Sequence, residues 1–262
     1  MYIQYLLCAL REVWSLLWEV PAPCFMLAEE KLRQKMLIFY ILVMFPLLGC
    51  LVWAGLSVLG AVAGLLPGQI AAGMLFAVLS VFFLEILGGG KGLSSCSSFL
   101  EKLLCRESFY RSVFTAENDI RVNRSPIGLI CMFALLLLRG GCLALLYASD
   151  NGNWFALVFI LSYALQAQLA TLPLLSSGES IIKTDLLGIR VLWIAAVVLA
   201  LICGRHFWGS SLVALALTAL ITWTMYTFFA RKAGGITGAL IGTAGYCLET
   251  ILLLTGVGLL LR

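Results

Sequence analysis

PIGLICMFALLLLRGGCLALLYASDNGNWFALVFILSYALQAQLATLPLL, residues 126–175, decides the fold class. Only Arg139 and Asp150 are charged in this stretch. It divides into two apolar runs, 126–148 and 153–175, on either side of Asp150-Asn151-Gly152-Asn153. Each run reaches the roughly 20 residues that an α-helix needs to cross a hydrocarbon core. The residues between them are turn formers. A pair of membrane helices joined by a tight turn is the direct reading.

The rest of the chain repeats the pattern. Of its 262 residues, 62% are hydrophobic and 11% charged, whereas soluble domains carry about 25% charged residues. Further apolar segments run at about 37–66, 69–88, 187–204, 208–229 and 236–260. We therefore predict an all-α polytopic bundle of about seven spans, forming a single integral membrane domain over 1–262. Pro46 marks a bend or tilt in the first span. Residues 1–35 read as an N-terminal interfacial segment, whose helix ends near Pro21. Arg11, Glu12 and Glu19 interrupt its apolar run, so it does not read as a signal peptide. Residues 89–125 read as a cytoplasmic loop containing an amphipathic helix at 99–118.

Basic residues set the orientation. With the N-terminus in the cytoplasm, 14 of the 17 lysines and arginines lie on the inner side, and only Arg139, Arg205 and Arg262 lie on the other. This predicts an odd number of spans, a C-terminus outside and a bacterial inner-membrane location. The net charge of +4 suits lipid headgroups and gives no reason to expect nucleic acid. The bilayer is the one certain partner, and an oligomer stays open.

Nine cysteines lie mostly in apolar runs, without any C-x-x-C, and His206 is the single histidine. They read as buried small hydrophobes, with neither zinc nor a disulfide framework. A Ser-His-Asp arrangement has no support. Ionisable or amide residues within spans are costly and so are candidates for function: Glu85, Gln166, Gln168 and Glu249. Two glycine segments recur at the inner boundary, GGGKGLSSCSS (88–98) and RKAGGITGALIGTAG (231–245). Such segments let backbone amides approach an anion, or let helices pack closely through small residues.

These segments, in this order, resemble the cobalamin-5′-phosphate synthase family, adenosylcobinamide-GDP ribazoletransferase. Trp18-Glu19-Val20-Pro21-Ala22-Pro23 is similar to the family's apolar-R-L-P-V-P segment. Phe45-Pro46-Leu47-Leu48-Gly49 is similar to its F-P-L-x-G. Gly88 to Ser98 is similar to its G-G-x-H-L-D-G-L-A-D-x-x-D-G loop, and Arg124-Ser125-Pro126-Ile127-Gly128 to its D-S-R-x-G-P-M-G stretch. Gly234-Gly235-Ile236-Thr237-Gly238 is similar to its G-G-x-T-G-D motif, and Glu249 falls on a family glutamate. The resemblance implies an integral membrane enzyme of the last stage of vitamin B12 assembly. Such enzymes use Mg²⁺ to join GDP-activated corrinoid to α-ribazole or its phosphate. It implies a catalytic region at Lys91, Ser95, Ser98 and Glu249. It also implies substrate or phosphate binding by Gly88, Gly89, Gly92, Arg124, Gly234, Gly235, Thr237 and Gly238.

The departures are chemical. The family aspartates fall on Lys91, Ser95, Ser98 and Ala239, and its histidine is absent. Another family aspartate falls near Val122. Mg²⁺ prefers hard oxygen ligands, chiefly carboxylates, so we expect it to bind weakly or not at all, and we assign no metal ligands. Three functions follow as alternatives: the family's transferase, a non-catalytic relative that binds a corrinoid, a nucleotide or a partner protein, and a small transporter built on the polar residues within spans.

Overall fold

A computed structural model describes residues 7, 9–13, 34–88, 91–104, 126–175, 178–184, 186–233 and 235–261. Its regular elements are helices: α1 Gln34–Ala63, α2 Gln69–Leu87, α3 Lys91–Leu104, α4 Pro126–Ala148, α5 Asn153–Leu169, α6 Leu186–Cys203, α7 Trp208–Phe228 and α8 Gly238–Leu260. Extended structure among the described residues is confined to two isolated bridges. Among the described residues six helices are long and apolar enough to cross a membrane, which fits a multi-pass membrane protein. The seven expected apolar segments all contain helices, at nearly the expected positions. α1 is continuous through Pro46.

The fourth segment is the exception in length. Helix α5 stops at Leu169, where residues 153–175 were expected to span. Its 17 residues rise about 25 Å, less than the roughly 30 Å of a hydrocarbon core. It packs against α1, α6, α7 and α8, and nearly every residue from Trp154 to Leu169 is buried. The outer helices instead expose large apolar side chains, such as Phe82 on α2 and Leu137 on α4. α5 is thus the axis of the bundle, and the other helices provide its apolar surroundings.

Close approach between helices here depends on glycine, as in other membrane bundles. A Cβ on Gly49 would stand 2.6 Å from the backbone nitrogen of Ile160, so α1 lies directly on the α5 main chain. Gly256 of α8 leaves room for the indole of Trp154, whose Nε1 donates to the carbonyl of Leu252 at 2.9 Å. Ala9 and Val13, one helical turn apart near the N-terminus, are buried in the same core. Residues 1–6, 8 and 14–33 of the predicted interfacial segment lie outside the described residues.

Residues 91–98 correct the sequence reading. They were expected to form a glycine-rich loop, with an amphipathic helix beginning only at 99. In the structure α3 begins at Lys91 and packs against α4 and α8. The physical reason is size: Gly92, Ser95, Cys96 and Ser97 present little bulk, and Ser95, Cys96 and Ser97 are buried. A helix face made of small residues docks on its neighbours. Residues 105–125 lie outside the described part.

Candidate functional site

Two glycine segments distant in sequence meet where α3 crosses α8. A Cβ on Gly92 would sit 3.2 Å from Cδ2 of Tyr246 and 3.8 Å from the carbonyl of Gly242. One turn along, the thiols of Cys96 and Cys247 are 3.7 Å apart. Leu93, Cys96 and Tyr246 form a small apolar cluster there, bordered by Met132, Leu135 and Leu136 of α4. Gly242, Tyr246 and Glu249 follow at helical spacing on one face of α8.

Glu249 is 5% exposed and Arg139 is 4% exposed. The Arg139 guanidinium donates through Nη2 to Glu249 Oε2, and through Nη1 to Glu85 Oε1 at 3.0 Å. Its carbon lies 4.6 Å from the centre of the Tyr246 ring, a cation–π contact. The other oxygen of Glu249 accepts from Ser162 Oγ of α5 at 3.0 Å, and Gln166 Nε2 lies 3.4 Å from the same Oγ. Four helices, α2, α4, α5 and α8, therefore share one charged knot inside the bundle. Arg139 Nε and the Tyr246 hydroxyl are buried in it with no hydrogen-bond partner among the described residues.

Arg139 was missed by sequence reasoning, which assigned it to the outer side when basic residues were counted. It sits midway along α4, buried between two carboxylates. A signal existed. Glu85, Arg139 and Glu249 lie in three different spans, with signs minus, plus and minus, and charges inside membranes pair with one another. Of the other polar candidates within spans, Gln168 accepts from Trp193 Nε1 and thereby ties α5 to α6.

The expected site residues do not all converge. Gly88 caps the end of α2 with an ordinary right-handed backbone. Gly92 of α3 packs on the α8 face that also carries Glu249, whereas Ser95 and Ser98 lie further along α3, Ser95 buried and Ser98 half-buried. Lys91 opens α3. Gly235 serves packing: its added Cβ would meet the carbonyl of Pro173 at 2.6 Å. Ile236 exchanges backbone hydrogen bonds with Pro173 and Leu175. Thr237 is the N-cap of α8, its hydroxyl accepting from the Leu240 amide at 3.3 Å. Gly238 is exposed with open space around it. Gly89, Arg124 and Gly234 lie outside the described residues.

These residues do not fit a magnesium site. Both oxygens of Glu249 are engaged, by a cation and by a hydroxyl. Among the described residues no three His, Cys, Asp or Glu side chains are grouped to hold a metal ion. Compared with known protein families, curated proteins and solved structures, the chain matches none.

Proposed function

We propose that this chain is a seven-span inner-membrane protein of the cobalamin-5′-phosphate synthase type, with its N-terminus in the cytoplasm. In this reading it binds a GDP-activated corrinoid, or the α-ribazole partner, beside the junction of α3 and α8, and has lost the metal-assisted transfer step. One observation carries the reading. The two glycine segments, 88–98 and 231–245, come together at Gly92 and Gly242, and Glu249 lies two turns further along the same helix face. Loss of the transfer step is supported by the engagement of Glu249 with Arg139 and Ser162, which leaves a divalent ion without a carboxylate partner there.

The test is a paired measurement on purified full-length protein. Binding of adenosylcobinamide-GDP is followed by calorimetry, and product formation with α-ribazole is followed across a range of Mg²⁺ and Mn²⁺. Binding without product is expected. Product formation would restore the transferase reading, and absence of both would remove this protein from that chemistry.

A second reading, a small transporter, is favoured by the charged knot itself, since intramembrane charges commonly mark ion pathways. It requires ion flux in proteoliposomes that is abolished by Glu249→Gln.

A further inference from the structure

The Glu85–Arg139–Glu249 knot has the form of a loaded cation site. Two carboxylates from different helices, α2 and α8, converge on the two terminal nitrogens of one guanidinium. An aromatic face closes a third side, 4.6 Å from the guanidinium carbon. Ser162 holds the second oxygen of Glu249 and so fixes that carboxylate's direction. Every one of these groups is an oxygen ligand or a π face, the surroundings that favour a positive charge. The guanidinium is the only positive group in contact with either carboxylate among the described residues.

We infer that Glu85 and Glu249 form a cation site whose resident ion is the chain's own Arg139, and that removal of the guanidinium opens the site to a hard divalent cation. Arg139 is attached covalently, so its local concentration does not depend on the ion supply of the cell. Its charge repels a second cation at contact distance, which keeps free metal out. With the guanidinium gone, two carboxylates and water supply the hard oxygens that Mg²⁺ and Mn²⁺ prefer. The inference is independent of the corrinoid reading, because neither its argument nor its test involves that ligand.

Mn²⁺ is the probe, and its free concentration is read by electron paramagnetic resonance on detergent-solubilised full-length chain. Wild type is expected to take up no tightly bound Mn²⁺. Arg139→Ala is expected to bind Mn²⁺ about a hundredfold more tightly than wild type, a fraction of the attraction between unit charges at contact in a partly polar site. Mg²⁺ and methylguanidine should each displace that ion, and Arg139→Ala with Glu249→Gln should lose it. Arg139→Gln keeps most of the side-chain length without the charge, and serves as the second variant. If neither variant is monodisperse, added methylguanidine or Mn²⁺ should restore folded protein. The inference is overturned if folded variants bind no more Mn²⁺ than wild type, if Glu249→Gln leaves the binding unchanged, or if neither ion rescues misfolded variants. Normal corrinoid binding alongside any of these outcomes would leave the functional proposal standing.

Discussion

Replacing Gly49 with alanine tests the central packing claim most directly. The new methyl group would lie 2.6 Å from the Ile160 nitrogen, 2.7 Å from its Cα and 2.8 Å from the Phe159 carbonyl carbon. These are backbone atoms of α5, so no side-chain rotation relieves the clash. Ordinary contact begins at 3.4 Å, so α1 and α5 must part by 0.8 Å, the difference between 3.4 and 2.6. A gap of roughly 0.5–1 Å forfeits a quarter to a half of the dispersion energy of the contacts it opens. Overpacking of this kind costs about 1–3 kcal/mol, and alanine returns about 1 kcal/mol of helix propensity. Because the obstacle is main chain, the cost should lie at the upper end, for a net loss of about 2 kcal/mol. The assay is the thermal midpoint of the full chain in detergent, read by circular dichroism. Gly258→Ala in α8, with no atom within 4 Å of the new methyl group, is the control and should leave the midpoint unchanged or raise it. Trimming Ile160 to alanine should not rescue Gly49→Ala. A Gly49→Ala midpoint at or above wild type would refute the direct contact of α1 with the α5 backbone.

Other changes have equally defined outcomes. Glu249→Ala leaves Arg139 buried with one carboxylate, and breaking such a pair costs about 3–5 kcal/mol; a denaturation midpoint close to that of wild type would contradict the ion pair. Cys96 and Cys247 should cross-link under diamide, tying α3 to α8, and Cys247→Ser should abolish the linked peptide in mass spectrometry. Gly92→Val would press on Tyr246 at the α3–α8 crossing; it should weaken adenosylcobinamide-GDP binding by calorimetry, and unchanged affinity would move the proposed ligand elsewhere.

Much of the architecture was legible from the chain because membrane helices have a length requirement that ordinary helices lack. The limits of α2, α4, α6, α7 and α8 follow the apolar runs closely for that reason. Hydropathy could not reveal that α5 is surrounded by protein while α2 and α4 face outward, since lipid and helix neighbours are equally apolar. The site was legible in part. Glu249 stood out as an acid inside a span, but Arg139 was counted as a surface charge because the reading used loop bias before charge pairing. Residues 91–98 were misjudged because glycine and serine suit both an anion-binding loop and a tightly docked helix, and only the partner surface decides between them.

The position of α5 bears on how the bundle is made. Ser162 and Gln166 face α8, which is synthesised some seventy residues later. Until that last helix arrives, the nascent chain holds a short rod with unmatched polar groups in the bilayer. A ribosome stalled before residue 238 should therefore leave a product that quality-control proteases recognise.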